Sequence, residues 1–394
     1  MKEIYLDHAA TTYVREEVRQ AMDKYFSEEF GNPGSFHTTG LRAKEALNQA
    51  RQTVAKLINA SKQEEIIFTG SGTESINLAI KGIARANKNK GKHIITTKIE
   101  HEAVLETCNY LEKYEGFEIT YLNVDRYGRV CSDELRKAIR EDTILITIMY
   151  ANNEIGTIQP IKELAKIAKE HNIYFHTDAC QAGGALDINV KNFNIDLMTL
   201  NSSKIYGPKG VGILYIKSGI KIHPIIHGGG QEFKLRSGTE NVPSIIGFAK
   251  ALELAQTEKE KENKRLITLR DKLIKKIQEK IPKTILNGHP TERLPNNVNI
   301  TFLDIEGEAM MLYLNEYGIC TSSGSACTSQ SLDPSHVILA LGLPYEVAHG
   351  TLRFTLGKQT QEKDIDKVLK VLPEIVESLR KISPVRLKVE EVLN

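Results

Sequence analysis

Hydrophobic and polar positions follow two alternating patterns along the chain, one typical of helices and one typical of strands. Segment 41–58 is a clear helical case, with apolar positions at Ala46, Leu47, Ala50, Val54 and Leu57. Short apolar runs come after it, namely EEIIFT, KHIITT, FEITYLNV, TILITIMY and IYFHTD, and helical segments separate most of them. This alternation predicts a mainly parallel sheet with helices on its faces.

The pattern changes near residue 256, where a heavily charged stretch begins. Its apolar positions form one stripe, at Leu266, Leu269, Leu273 and Ile277. The stripe predicts a long surface helix that rests on a core and that Pro282 stops. Beyond it come a strand (NVNITFLDI), a helix, a Gly/Ser-rich loop, a strand (GTLRFTLG) and a last amphipathic helix. This part of the chain predicts a smaller α+β unit.

The length of 394 residues also favours two domains. We place the boundary within the charged helix, which gives a large domain over 15–257 and a small domain formed by 1–14 and 258–394. Lys plus Arg number 52 and Asp plus Glu number 50, so no charge bias indicates nucleic acid or a membrane surface. No apolar window approaches about 18 residues and no signal-like core opens the chain, so we expect a cytoplasmic protein without a membrane span.

Five cysteines stand at positions 108, 131, 180, 320 and 327, without a CxxC pair. This spacing fits neither a disulfide framework nor a zinc site, so we expect no metal and a reducing compartment. Cys108, Cys180 and Cys320 lie in stretches typical of packed thiols. Cys327 differs, because Ser, Gly, Thr and Gln surround it. We expect a mobile loop over about 321–334, as a reactive thiol requires, although a bystander thiol stays the alternative.

Three segments at predicted strand ends carry groups that suit a cofactor. In FTGSGTES, Gly72 and Thr73 could donate to a phosphate, although a plain strand-to-helix turn is the alternative. Asp178 could pair with a protonated ring nitrogen or simply cap the next helix. Lys204 could form a Schiff base, whereas Lys209, inside GPKG, is predicted to be an ordinary turn charge.

These weak signals gain weight when they are combined. An anion cradle, a carboxylate for a ring nitrogen and a lysine amine are what pyridoxal 5′-phosphate needs, and their order along the chain is that of fold-type I pyridoxal enzymes. His101 follows a predicted strand and opens a helix. A lone histidine at such a position is more often structural, so it becomes a candidate site residue only together with the other three groups. The sequence HGGG at 227–230 has no GxSxG partner anywhere, which excludes a hydrolase of that type.

Ten motifs then identify what the chain resembles. They are YLDHAATT, FGNPGSFH, GTESINLAIKG, EHEAVL, NNEIGTIQPI, HTDACQ, KIYGPKGVG, RSGTENV, SSGSACTSQSLDPSHV and LRFTLG. In this order, and over nearly the whole chain, they resemble a group I cysteine desulfurase of the NifS/IscS type. The resemblance implies an α/β fold of the pyridoxal-phosphate fold type I, like that of aspartate aminotransferase. It also implies a homodimer with pyridoxal 5′-phosphate as cofactor and L-cysteine as substrate.

The resemblance implies a role for each matching position. Lys204 would hold the cofactor and move the substrate's α-proton, Asp178 would pair with the ring nitrogen, and His101 would stack on the ring and assist proton transfer. The other implied cofactor contacts are Gln181 at the ring oxygen, Asn153, the phosphate donors Gly72, Thr73, Ser202 and Ser203, and Thr239, which would reach the phosphate in the partner subunit. Asn153 and Arg353 would hold the substrate carboxylate.

The resemblance also implies a path for the sulfur. Cys327 would take it from L-cysteine as a persulfide, leaving L-alanine, and would pass it to a protein that assembles iron–sulfur clusters or thiolates tRNA. No direct contact with nucleic acid or membrane is expected. Other hypotheses stay open: another fold-type I enzyme, such as a selenocysteine lyase or an aminotransferase, or a non-catalytic sulfur-carrier or regulatory relative.

Some positions depart from the family pattern. Ser203 stands where histidine usually precedes the Schiff-base lysine, and we expect weaker cofactor retention, because serine can donate one hydrogen bond but cannot carry charge. Asn201 replaces a common serine, and Tyr13 replaces a proline. The tail SPVRLKVEEVLN differs from the tail that housekeeping members offer to an iron–sulfur scaffold, so the sulfur acceptor stays open.

Overall fold

The computed structural model describes residues 3–323, 333–389 and 392. In chain order, its strands are β1 (Ile4–Tyr5), β2 (Ile66–Thr69), β3 (His93–Thr97), β4 (Glu118–Leu122), β5 (Thr143–Thr147), β6 (Tyr174–Asp178), β7 (Leu197–Asn201), β8 (Gly212–Ile216), β9 (Thr284–Leu286), β10 (Asn297–Phe302), β11 (Ile319–Cys320) and β12 (Thr351–Thr355). Its helices are α1 (Glu16–Ser27), α2 (Thr38–Leu57), α3 (Gly72–Asn87), α4 (Glu102–Glu115), α5 (Ser132–Ala138), α6 (Ile161–Glu170), α7 (Val242–Lys280), α8 (Gly307–Glu316), α9 (His336–Ala340), α10 (Tyr345–Ala348) and α11 (Glu362–Ile382). None of these helices is both long enough and apolar enough to cross a membrane.

Seven strands form the larger sheet, in the order β2-β8-β7-β6-β5-β3-β4. Strand β8 runs antiparallel to its two neighbours, and the other pairs in this sheet are parallel. The predicted mainly parallel sheet is therefore confirmed. Because successive strand residues point to opposite faces, Ile94 packs with the cluster that contains α3 and α4, whereas Ile95 packs with the cluster of α2, α6 and α7. Both faces are covered, as alternation of strands and helices requires.

The C-terminal part has its own hydrophobic cluster. Three antiparallel strands lie in the order β12-β10-β9, and β1 pairs in parallel with β11. Ile4 and Leu6, from the start of the chain, pack in the same cluster as α8 and α11. The N-terminal segment thus packs with the C-terminal part. The prediction that 1–14 and 258–394 form one small domain, with those boundaries, stays a prediction.

Helix α7 contributes to both parts of the molecule. Its N-terminal half packs with the large sheet, up to Ala255, and its C-terminal half packs with the second cluster from Leu266 onward. All four residues of the predicted apolar stripe are buried, and the helix ends before Pro282, as expected. It begins far earlier than the predicted start near 256, because the side chain of Asn241 caps it by accepting the Ser244 N–H.

Candidate active site

A cavity of about 320 Å³ lies at the carboxyl ends of the parallel strands, where open α/β sheets bind ligands. Eight of the predicted site residues line it: Gly72, Thr73, His101, Asn153, Asp178, Gln181, Lys204 and Arg353. They come from six separate stretches of the sequence: the large sheet brings most of them to one edge, and β12 of the three-stranded sheet adds Arg353. The sequence analysis inferred one common site from several weak signals, and in the structure these eight residues do line one cavity.

Four predicted residues are not among those that line the cavity. Ser202 is buried with its Oγ beside Gly207, where an added Cβ would lie 2.1 Å away. Ser203 is half-buried, and its carbonyl oxygen accepts from the hydroxyl and the N–H of Thr12. Thr239 is exposed. Cys327 lies outside the described residues. The cofactor contacts predicted for Ser202, Ser203 and Thr239 stay predictions.

Lys204 reaches the cavity from a short 3₁₀ turn, Ser202–Lys204, that follows β7. The side chain of Asn201 caps this turn by accepting the Ser203 N–H at 3.4 Å. Lys204 Nζ contacts the carbonyl oxygen of Ala10, so the N-terminal segment also borders the amine. Lys209 is exposed, as predicted for a turn charge.

Asp178 is the last residue of β6 and is buried in the cavity wall. Its Oδ1 accepts the N–H of Cys180 at 2.9 Å. Asp178 therefore caps the following turn and also lines the cavity, and its pairing with a ring nitrogen stays a prediction. Burial raises the pKa of the Cys180 thiol well above its ordinary value, so this thiol stays protonated beside the carboxylate. It is thus a poor nucleophile at neutral pH.

His101 caps the N-terminus of α4 and also lines the cavity. Its Nδ1 accepts the Ala103 N–H at 3.0 Å. A ring nitrogen that accepts a hydrogen bond carries no proton, so the neutral imidazole has its proton on Nε2. His101 therefore offers a fixed tautomer rather than a freely rotating base.

Glu100 is a cavity residue that the sequence analysis missed. Its carboxyl is buried and accepts the Thr97 hydroxyl at 2.8 Å and the Met149 N–H at 3.0 Å. Burial raises the pKa of this carboxyl from 4.5 to about 8. His336, another missed residue, donates from Nε2 to the Glu100 carbonyl at 2.9 Å and lies 3.4 Å from the Glu102 carboxylate.

Arg353 enters the cavity from β12 with only 2% of its side chain exposed. One guanidinium nitrogen donates to the carbonyl oxygen of Asn153 at 3.0 Å, and another pairs with Asp7 at 2.8 Å. The turn that carries Asn153 is itself fixed, because Asn152 Oδ1 accepts the N–H groups of Glu154 and Ile155. The guanidinium is thus held in one orientation, as two-point binding of a carboxylate requires.

The start of α3 forms the remaining wall. Ser71 caps this helix by accepting the Glu74 N–H at 3.1 Å, and the first N–H groups of a helix have no carbonyl partner within it. A Cβ on Gly72 would lie 3.0 Å from Cys180 Sγ and 3.3 Å from Asn201 Cβ, so a larger residue would require these neighbours to shift. An open helix start, a buried carboxylate and a lysine amine form the donor set that pyridoxal 5′-phosphate requires.

Comparison with known proteins agrees with this geometry. Residues 4–368 match the family model described as aminotransferase class-V. The chain is 59% identical to the protein named cysteine desulfurase IscS of Methanosarcina thermophila, over 97% of this chain and 94% of that protein. It superposes on a solved NifS-like protein with a TM-score of 0.90 at 39% identity, covering 96% and 100% of the two chains. It also superposes on a structure described as SspA in complex with cysteine, with a TM-score of 0.80 at 38% identity, covering 90% and 99%.

Proposed function

The chain belongs to the cysteine desulfurases of the class-V aminotransferase family, which depend on pyridoxal 5′-phosphate, and from this membership we propose how its own residues take sulfur from L-cysteine. The observation that carries the proposal is the meeting of Lys204, Asp178 and Arg353 in one cavity. Each supplies a group that the chemistry needs: an amine, a carboxylate and a receptor for a substrate carboxylate.

Lys204 and Asp178 are proposed to act on different parts of the cofactor and its attached substrate. Pyridoxal 5′-phosphate, when bound, supplies a conjugated ring that withdraws electrons from the Cα of an attached amino acid. Asp178 would stabilise positive charge on the ring nitrogen and so keep the ring electron-poor. Lys204 would hold the cofactor through its amine and would supply the base that accepts the proton from the substrate's Cα.

Arg353 and Asn153 orient the substrate. The guanidinium faces the cavity from a buried strand, and its planar fork matches the two oxygens of an amino-acid carboxylate. The contact between Arg353 and the Asn153 carbonyl brings both groups to one side of the cavity.

Cys327 receives the sulfur in this proposal. Its thiolate attacks the substrate sulfur, a sulfur–sulfur bond forms, the carbon–sulfur bond breaks, and the carbon fragment leaves as L-alanine after gaining protons. Support comes from the described residues on either side of it. Ser322 pairs with Arg353 through two backbone hydrogen bonds, and Ser335 donates to the buried Glu154 carboxylate at 2.5 Å. The described residues before and after Cys327 therefore contact Arg353 and Glu154, which both line the cavity.

We further propose a homodimer that works in the cytoplasm and passes sulfur to an acceptor protein, of iron–sulfur cluster assembly or of tRNA thiolation. Thr239 is exposed rather than turned into its own cavity, which leaves it available to the partner subunit. The four described cysteines are free thiols, which suits a reducing compartment.

Mass spectrometry after incubation with L-cysteine tests the sulfur transfer. We expect one additional sulfur atom on the peptide that contains Cys327, and release of L-alanine. Cys327→Ala should abolish both while the cofactor stays bound, and Lys204→Ala should abolish covalent attachment of the cofactor. Cys131→Ala is the matched control, because Cys131 is an exposed thiol that the proposal gives no role. Sulfur found on another cysteine in the Cys327→Ala variant would refute the assignment.

A further inference from the structure

Glu74 places a carboxylate in the first turn of α3, at the helix start that the proposed function assigns to the cofactor phosphate. A negative side chain stabilises a helix N-terminus, but it repels a second anion that binds there. The same position therefore helps the helix and opposes the ligand. A bound phosphate needs this charge to be offset.

The structure shows what offsets it. Arg236 Nε donates to Glu74 Oε1 at 2.8 Å, and Arg236 Nη2 lies 3.4 Å from Oε2. Oε2 also accepts the Gly70 N–H at 2.8 Å, so the carboxylate folds back over the glycine turn. The pair is shielded from solvent, since the side chains of Arg236 and Glu74 are 24% and 17% exposed. A Cβ on Gly70 would lie 2.8 Å from Glu74 Oε2, which shows how closely the groups pack.

Arg236 is itself held by a strained turn. Glu232, Phe233 and Lys234 all have positive φ values, of 45°, 58° and 67°, which non-glycine residues rarely adopt. The buried Glu232 carboxylate fixes this turn, because it pairs with Arg51 at 2.6 Å and accepts the Phe68 N–H at 2.8 Å. The turn anchors the segment to β2, so Arg236 projects toward the start of α3 from a fixed base.

We propose that Arg236 is a positioning residue that neutralises Glu74 and thereby makes the start of α3 receptive to the cofactor phosphate. This inference rests on the proposal that Gly72 and Thr73 receive that phosphate. Arg236 acts through Glu74 and not by touching the cofactor. Its removal therefore weakens phosphate binding only while Glu74 keeps its charge.

A double-mutant cycle on cofactor affinity tests this coupling. Apoprotein is titrated with pyridoxal 5′-phosphate, and the dissociation constant is read from the visible absorption of the bound cofactor. We expect Arg236→Ala to weaken binding by about tenfold, as an uncompensated charge near an anion does in a part-buried site. Glu74→Gln keeps the hydrogen bond from Gly70 without the charge and should restore near-normal affinity in the Arg236→Ala background.

Arg85→Ala is the matched control, because Arg85 forms a similar pair with Glu115, 2.6 Å apart, in the last turn of the same helix. Its affinity for the cofactor should equal that of the unmodified chain. Equal loss of affinity in Arg236→Ala and in the double variant would overturn the inference, because the arginine would then act directly. If Arg236→Ala fails to fold, the Glu74→Gln single variant tests the coupling instead. It should bind the cofactor at least as tightly as the unmodified chain does, and weaker binding would refute the coupling.

Thr73→Val separates this inference from the proposal beneath it. If Thr73→Val leaves affinity unchanged, the phosphate does not bind at the start of α3 and the proposed site is wrong. If Thr73→Val weakens cofactor binding while Arg236→Ala does not, the phosphate site at the start of α3 is supported and the proposed role of Arg236 is refuted.

Discussion

Arg353 and Asp7 form an ion pair 2.8 Å long that joins β12 to the N-terminal segment inside the cavity wall. The arginine is buried, and its second guanidinium nitrogen is held by the Asn153 carbonyl. Because these two partners bind different nitrogens of one planar guanidinium, they fix its plane in the cavity. Asp7 is thus an orienting group for substrate binding, although it lies more than 340 residues from Arg353 in the chain.

The first prediction concerns this pair. Asp7→Asn should raise the KM for L-cysteine by about tenfold with a small change in kcat, because the guanidinium loses a charged partner that fixes its orientation. Steady-state alanine release measures both constants. Asp142→Asn is the control, since Asp142 pairs with Arg140 at 2.8 Å on the surface. A fall in kcat at unchanged KM would contradict an orienting role.

The second prediction concerns Ser335, whose hydroxyl donates to the buried Glu154 carboxylate at 2.5 Å. Ser335→Ala should slow sulfur transfer to Cys327 by about tenfold while cofactor affinity is kept, because the chain following Cys327 loses its tie to the cavity wall. Rapid-quench mass spectrometry measures the transfer. Ser218→Ala, which removes a similar hydrogen bond of 2.7 Å to Glu65, should leave the rate unchanged.

A second variant separates the two roles of the Ser335 hydroxyl. Its hydroxyl also caps α9 by accepting the N–H groups of Val337 and Ile338, so Ser335→Ala weakens that short helix as well. Glu154→Gln leaves the cap in place and weakens only the tie to the wall. Normal sulfur transfer in Glu154→Gln would show that the cap, and not the tie, explains the effect.

The third prediction concerns pH. The pKa of the Glu100 carboxyl is about 8 in the folded protein and 4.5 ordinarily, so between these values the folded state binds more protons than the unfolded state. Its contribution to stability is complete below about pH 4.5 and is lost as pH rises through about 8. Glu100→Gln should therefore gain on the order of 1–3 kcal/mol relative to the unmodified chain between pH 6 and 9.

Urea unfolding at several pH values measures that difference. Glu112→Gln, at an exposed position on α4, should keep the pH dependence of the unmodified chain. If the stability of Glu100→Gln parallels that of the unmodified chain from pH 6 to 9, Glu100 does not hold its proton in the folded state.

The fourth prediction concerns Ser203, which stands where the family pattern has histidine. Ser203→His should tighten cofactor binding severalfold, because a charged donor next to Lys204 adds a stronger hydrogen bond to the phosphate than a hydroxyl does. Titration of apoprotein measures the change. Unchanged or weaker affinity would mean that the half-buried side chain at this position does not reach the phosphate.

The sequence predicts much of the fold because the sheet strands are apolar runs between helical segments. The eight site residues that line the cavity were also predictable, since each stands where a predicted strand meets a turn or carries a family motif. The start of α7 was not. Residues 242–255 are apolar with few charges, so the pattern gave no clear amphipathic period, and the cap at Asn241 became meaningful only in the structure.

Buried ionisable side chains were the other failure. Glu100, Arg51 and Glu232 look like surface residues in a single sequence, because charge ordinarily indicates exposure. Their burial depends on partners that are distant in the chain: Glu232 lies 181 residues from Arg51, and Met149, whose N–H the Glu100 carboxyl accepts, lies 49 residues from Glu100. No local pattern carries such pairings, so only the folded chain reveals them.

The 39 residues of α7 give a rod roughly 60 Å long that belongs to two hydrophobic clusters at once. If either cluster melts, half of the rod loses the packing that makes a helix of this composition stable in water. The two parts of the molecule should therefore unfold cooperatively. Calorimetry should show one unfolding transition rather than two.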